Sequence, residues 1–407
     1  MEKKRFKLGL IPRLIIAIVL GIVVGQLAFV PEVVLRVFIT LSSLFSSFLN
    51  FIIPLMIVGF VVRGIADLTE GAGKLLGITA LTSYASTLIA GTIAYIVART
   101  FFPLFITEEL VAQITGAGEG LEPIFTIPLT PMLDVTAAIV FAFIMGLSIS
   151  WLKGRGQGQV LYEAFSDFGD IIVRVLELII IPFLPVYIFG NFANMSYSGA
   201  VFSVLSIFWR VFLIVIALHL LYVTAMFIMA GTYARKNPFR LIRNQVSGYL
   251  TAIGTQSSAA TIPVNLRCAE KNGVSEDIRN FVVPLGATIH LAGSMITIVS
   301  CVTAILLMYQ MPMSLSMIIG FIAMLGIAMV AAPGAPGGAI MAALPFMPMV
   351  GITTEVLQQL MITLYITQDS FGTAANVSGD NAIAVFIDRL YRKDVKNEAP
   401  AGRAPRA

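Results

Sequence analysis

Eight long apolar runs dominate this chain, at about 11–30, 36–63, 74–105, 132–152, 168–194, 200–232, 278–309 and 351–390. A hydrocarbon core of about 30 Å is crossed by about 20 helical residues, and each run reaches that length. Only 12% of the 407 residues are charged and 58% are hydrophobic, where a soluble domain carries roughly 25% charged residues. Backbone groups at membrane depth have no water to bond, so they must be satisfied within helices. The expected fold is an all-α integral membrane protein with eight transmembrane helices. The start, MEKKRFK before a long apolar run with no small-residue cleavage site, reads as a first span and not as a removable leader.

The basic clusters MEKKRFK, RGIADLTEGAGK, WLKGRGQ, TYARKNPFRLIRNQ and DRLYRKDVK fall at the N-terminus and after spans two, four, six and eight. All lie on one side, which makes both termini cytoplasmic by the positive-inside rule. The positive charge therefore reports orientation, and no nucleic acid partner is implied. Cys268 and Cys301 define neither a disulfide framework nor a metal-ligand spacing.

Two stretches do not fit simple spans. Residues 239–268 contain TAIGTQSSAATIPVN and residues 311–350 contain VAAPGAPGGAIM, each with short apolar arms around a polar or Gly/Pro-rich tip. Arms of about 12–16 residues are too short to cross, so two re-entrant helical hairpins entering from opposite sides are expected. Span seven carries a break at GATIHLAGS, residues 286–294. Span eight is too long for the core, so it is expected to be tilted or interrupted, with Gly372, Ser378 and Gly379 marking the place. Paired hairpins and paired broken helices are signs of inverted repeats around a midplane binding site.

Span eight also holds TQDSFGTAANVSGD, with Asp369 and Asp380 in an apolar setting. An ionised carboxylate there is costly unless paired, hydrogen-bonded or bound to a cation. One aspartate alone fits an interhelical hydrogen bond as well as a site. Two, with Thr373 and Asn376 between them, favour a ligand site for a small organic molecule and a cation. Ser257 and Ser258, and Gly334, Pro336, Gly337 and Gly338, can be read as close-packing turn residues or as tips exposing backbone groups at depth. For His219 and His290 the plain reading is a neutral core histidine, although His290 sits in the break and a titrating imidazole there could carry a proton. Arg174, Glu177 and Arg210 fit snorkelling or a helix-end ion pair. Ser83, Ser86 and Thr87 fit interhelical packing, or could reach a cation.

TQSSAATIPVN, VPLGATIHLAGS, APGAPGGAIM and QDSFGTAANVSGD together give the sequence a specific resemblance to the dicarboxylate/amino acid:cation symporters, the glutamate transporter superfamily, over nearly the whole chain. Inverted repeats in a member of that family are already a worked case of the rule used above. The resemblance implies one membrane domain that forms a homotrimer. Its scaffold helices would lie within 11–63 and 132–194, its mobile transport unit within 74–105 and 200–390, and a cytoplasmic polar tail at 391–407. It implies a substrate site of Ser257, Ser258, Ser294, Ala335, Asp369, Gly372, Thr373 and Asn376. Asp369 would hold the α-amino group, and Ser258 and Asn376 the α-carboxylate. Sodium would be held by Asp380 with backbone from Gly286, His290 and Asn376; it is a co-transported ion, and no cofactor is expected.

Three departures from the family pattern bear on specificity. Gly372 stands where transporters of acidic amino acids have arginine, so a side-chain carboxylate lacks its bidentate partner. Ala292 stands where an aspartate serves an extra sodium, and His290 where asparagine is usual. Together with TIPVN and QDS, these are most similar to the sodium:serine/threonine branch. The expected activity is sodium-coupled import of a small neutral amino acid by elevator-type alternating access, in the cell membrane of a prokaryote. A proton- or sodium-coupled symporter of dicarboxylates is the alternative, and an ion channel a distant one. The protein is not expected to be an enzyme: an intramembrane aspartyl protease would need two aspartates on facing helices, and these share one span.

Overall fold

The computed structural model describes residues 10–68, 74–115, 120–133, 135–330, 332 and 336–398. Among them the only regular structure is helical. A first group comprises α1 (Leu10–Gln26), α2 (Glu32–Leu68), α5 (Val135–Lys153), α6 (Gln159–Val175) and α7 (Ile181–Tyr197). In it α2 packs on α5, α6 and α7, and α1 packs on α7. Between α6 and α7 the five residues Leu176–Ile180 form one π turn, and the Ile181 N–H bonds the Leu176 carbonyl five residues back. Pro182 has no N–H and clashes with the carbonyl four residues before it, so one residue is taken up in a wider turn and the helix runs on.

A second group is built around α12 (Ala292–Met308) and α15 (Glu355–Glu398), which lie against each other. Every residue of α12 from Ala292 to Leu306 is buried, as expected of a helix that is apolar all round. It is ringed by α3 (Lys74–Phe101), α8 (Val201–Ala234) and α15. A short α4 (Glu108–Thr115) touches α8.

Two helix pairs complete the molecule. α9 (Pro238–Thr255) and α10 (Ser258–Lys271) pack on each other across the two-residue connection Gln256–Ser257. Gln256 is left-handed at φ 53 and Ser257 is extended, accepting the Ala260 N–H as N-cap. The second pair is α13 (Leu315–Val330) with the short α14 (Gly338–Ala343), continued by a 3-10 turn at Leu344–Val350. Gly337 enters α14 at φ +73, a conformation that favours glycine.

The break expected in span seven is present: α11 (Glu276–Ile289) stops at His290 and α12 begins at Ala292. The interruption expected in span eight is not, because α15 runs for 44 residues without a gap, about 66 Å at 1.5 Å per residue. Its glycines serve approach and not flexibility. A side chain on Gly293 would strike the Gly372 carbonyl, and one on Gly379 would strike the His290 ring.

Five helical runs among the described residues are long and apolar enough to cross a membrane: Glu32–Arg63, Leu75–Leu104, Gln159–Tyr197, Val201–Ala234 and Glu276–Met308. Pro12–Gln26, Val140–Lys153, Leu315–Val330 and Gly338–Val350 are shorter apolar helices. Large apolar side chains such as Ile16, Leu20, Ile144, Leu213 and Leu221 are exposed along these helices. An all-helical chain with so much outward-facing apolar surface is a membrane protein.

Candidate functional site

The two helix pairs converge on consecutive residues of α15. From the first, Gln256 Nε2 donates to Ser370 Oγ at 3.3 Å. From the second, the Gly337 N–H donates to Asp369 Oδ2 at 2.8 Å. Asp369 is only 4% exposed, and its other oxygen accepts from the Tyr365 hydroxyl at 2.8 Å, one helical turn back. The Thr373 side chain also hydrogen-bonds this carboxylate, so three donors and no cation face it among the described residues, and its charge is shared by dipoles alone.

The hydroxyl proton of Tyr365 goes to Asp369, so the 3.1 Å contact between Tyr365 Oη and Ser294 Oγ uses the serine proton. Ser294 Oγ in turn accepts from Asn376 Nδ2 at 3.0 Å. The Asn376 carbonyl accepts the N–H groups of Gly293, at 2.7 Å, and Ser294, at 3.2 Å. These are among the first N–H groups of α12, which have no partner inside their own helix. A chain of hydrogen bonds therefore runs from the broken end of α12 through Asn376, Ser294 and Tyr365 to Asp369.

Asp380 lies three helical turns further along α15 and meets the other side of the break. His290 Nδ1 is 2.9 Å from Asp380 Oδ1, and both side chains are essentially unexposed. Gly286 on α11 makes room: a Cβ there would sit 2.9 Å from the Asp380 carboxylate carbon. The second oxygen, Oδ2, is buried with no hydrogen-bond partner. On the far side of the imidazole, Nε2 is 3.0 Å from Ser86 Oγ. Ser86 Oγ is also 2.9 Å from the Tyr222 hydroxyl, which donates to the Ser86 carbonyl at 2.7 Å.

Of the substrate residues expected from the sequence, Ser294, Asp369 and Asn376 belong to one hydrogen-bonded chain. Gly372 and Thr373 are buried on the same helix between them, and Ser257 and Ser258 start α10 beside the Gln256–Ser370 contact. Ala335 lies outside the described residues. Of the cation residues, Gly286, His290 and Asp380 are brought together, while the Asn376 side chain is committed to α12. Ser86 joins His290; Ser83 and Thr87 do not, since Thr87 bonds the Ser83 carbonyl within α3.

The sequence reading did not single out Tyr365 or Tyr222. Tyr365 stands four residues before Asp369, a spacing that puts both on one helix face, so it was findable; Tyr222 comes from another helix and was not. His219, expected to hold one hydrogen bond, has Nε2 3.0 Å from the Gly293 carbonyl and 3.1 Å from Thr297 Oγ1.

The sequence profile of the sodium:dicarboxylate symporter family matches residues 10–390. The chain belongs to this family. It is a family of symporters and not of enzymes, which removes the protease reading. Among curated relatives, the serine/threonine transporter SstT of Acinetobacter baumannii (strain AYE) is 27% identical over 402 residues, covering 95% of this chain and 98% of that protein. Human excitatory amino acid transporter 1 is 28% identical over 309 residues, covering 72% of this chain and 56% of that protein. Excitatory amino acid transporter 3 of Oryctolagus cuniculus is 29% identical over 268 residues, covering 65% and 50%. The chain thus spans about half the length of the excitatory transporters it matches.

Proposed function

We propose that this symporter imports a small neutral amino acid, coupled to sodium, by moving α3, α8–α13, α14 and α15 as one unit against a scaffold of α1, α2, α5, α6 and α7. The observation that carries the reading is the convergence of both helix pairs on Asp369 and Ser370. A substrate ammonium would take the place of the dipoles on Asp369, where a charge-assisted bond in a water-poor site is strong. A second carboxylate lacks the bidentate partner that an arginine at position 372 would supply, because glycine stands there. The excitatory transporters and SstT are named for amino acids, which agrees with this choice over dicarboxylates.

Sodium is the assigned partner of Asp380 Oδ2, a buried carboxylate oxygen without a hydrogen bond. Such an oxygen suits a hard cation, and backbone carbonyls around the break are its natural companions. A second reading has its own observation. His290 lies between Asp380 Oδ1 and Ser86 Oγ, each at hydrogen-bond distance and each able to accept, so a proton on the imidazole can stand where a cation would.

The pairs differ in exposure, and this supports alternating access. Gly254, Thr255, Ala259 and Ala260 at the first tip are exposed. The second pair packs on α2, and its Pro336, Gly337, Gly338 and Met341 share a narrow gap with Val173, Leu176, Ile181 and Leu184 around the π turn. One tip open and the other sealed against the scaffold is one end of an elevator cycle; both pairs are read as re-entrant hairpins, and the termini as cytoplasmic.

The test is uptake into proteoliposomes of radiolabelled serine, alanine, aspartate and succinate under separate sodium and proton gradients. Serine or alanine uptake that needs sodium is the expected result. Full uptake in choline buffer under a proton gradient would overturn sodium coupling, and uptake of succinate alone the amino-acid reading. Asp380→Asn should weaken sodium dependence far more than substrate affinity at saturating sodium.

A further inference from the structure

The absent side chain of Gly372 opens a niche toward α12. A Cβ built there lies 3.4 Å from Thr297 Oγ1 and 3.6 Å from the Gly293 carbonyl oxygen. The niche is one carbon deep, and these two oxygens form its back wall. Both Thr297 and His219, which stands behind them, are fully buried.

The protons of this wall can be assigned by elimination. The Gly293 carbonyl only accepts, so His219 Nε2, 3.0 Å away, must carry a hydrogen. Nε2 therefore cannot take the hydroxyl proton of Thr297, whose remaining acceptor is the same carbonyl at 3.2 Å. In this arrangement the Thr297 proton is turned to the Gly293 carbonyl, away from the niche, and its oxygen lone pairs are left over. The wall presents lone pairs to the niche, and His219 is the group that holds them in that state.

Resting on the amino-acid reading above, we propose that Thr297 is a specificity-determining residue and His219 its positioning residue. The wall accepts a hydrogen bond from a substrate hydroxyl one carbon beyond Cα, as in serine. It repels a carboxylate, which brings only acceptors. Alanine fits the niche but leaves the wall unbonded. Rejection of acidic substrates thus has two sources, the missing cation at 372 and the acceptor-only wall behind it.

The experiment is competition between serine and alanine for uptake into proteoliposomes, with wild type, Thr297→Val, Thr297→Ser, His219→Gln and His219→Leu. One neutral hydrogen bond corresponds to a factor of about 3–10. Thr297→Val should lower the serine-to-alanine preference by about that factor, while Thr297→Ser keeps it. His219→Gln, which retains an N–H donor, should keep the preference, and His219→Leu should lose it. A merely structural role would move both substrates together. Thr297→Val with an unchanged ratio overturns the proposal. So does loss of both substrates in Thr297→Val with both restored in Thr297→Ser. Wild type that carries neutral amino acids without preferring serine refutes this inference alone; wild type that carries none refutes the amino-acid reading and takes the inference with it.

Discussion

The two helix pairs that meet at Asp369 and Ser370 are fastened to α15 by different chemistry. The first is held by a lattice of amides. Asn265 Nδ2 donates to the Val377 carbonyl at 2.9 Å, and Gln245 Nε2 to Asn265 Oδ1 at 3.0 Å. Asn381 Nδ2 reaches Gln245 Oε1 at 2.6 Å, and Asn272 Nδ2 reaches Asn381 Oδ1 at 3.2 Å. The second pair offers mainly methyl and methylene groups. Ala328, Ala342, Pro345 and Phe346 face Met56, Ile57, Phe60 and Val61 of α2, and the Gly337–Asp369 bond ties its tip to α15. Hydrogen-bond lattices fix register, whereas apolar contact is non-directional and tolerates sliding. The first pair is locked to α15 along its length, whereas the second is tied to it at the tip and is free to slide along α2.

The largest expected effect lies in the lattice. Asn381→Leu removes a donor and an acceptor at similar volume; it strands Gln245 Oε1 and leaves Asn272 Nδ2 with only the Leu241 carbonyl, at 3.4 Å. A stranded buried group costs about 1–3 kcal/mol and a lost hydrogen bond about 0.5–1.5 kcal/mol, so a destabilisation of about 1.5–4.5 kcal/mol is expected, measured by denaturation in detergent. Unchanged stability would mean that the lattice does not fasten the first pair.

Asp369→Asn comes next. It removes the charge assigned to the ammonium and leaves one acceptor oxygen for both the Gly337 N–H and the Tyr365 hydroxyl, which weakens the tether of the second pair. The loss is about 1.5–3 kcal/mol for a charged hydrogen bond. Amino-acid uptake should fall by about 10–150-fold, with the protein still folded because the lattice is untouched. Transport at wild-type affinity would remove Asp369 from the site, and a dicarboxylate that survives the change would favour organic acids.

Gly337→Ala isolates the backbone of the second tip. No described heavy atom lies within 4 Å of an added Cβ, so only the φ of +73 opposes the change, by about 1–2 kcal/mol. The expected result is a weaker apparent affinity, about 5–30-fold, with a loss of stability no larger than that strain of about 1–2 kcal/mol. A fall in stability without a change in affinity would show that the tip is a structural turn.

How far the sequence reached follows the same division. The apolar runs, the span-seven break and the two interrupted stretches are periodicity and composition, which are local and therefore readable. Asp369, Asp380 and Asn376 stood out as polar groups in an apolar run, whereas Ser294 came from the family resemblance alone. The continuity of α15 was misread because Gly372 and Gly379 look like breakers in one dimension. The reason for Gly379, the ring of His290, comes from another helix, and Gly372 lies where α12 leaves room for one more carbon. The lattice was invisible for the same cause: Gln245, Asn265, Asn272 and Asn381 are far apart in sequence and each is ordinary alone.

The smallest effect is expected at the tip of the first pair, and it decides the comparison. Ser370→Ala removes the Gln256–Ser370 bond at 3.3 Å, the counterpart of the Gly337–Asp369 contact on the neighbouring residue. Were the pairs equivalent, this loss should loosen the first tip as Asp369→Asn loosens the second. The lattice argues otherwise, because three of its amide hydrogen bonds, at Val377 and Asn381, hold the pair to α15 without help from its tip. Alanine also suits a helix interior better than serine by a few tenths of a kcal/mol, which offsets part of the lost bond. Transport and stability should therefore stay within about threefold and about 0.5 kcal/mol of wild type, the range of surface-like substitutions. A loss of uptake comparable to that of Asp369→Asn would mean that the tips, and not the lattice, set the hold of both pairs, and the asymmetry between them would have to be abandoned.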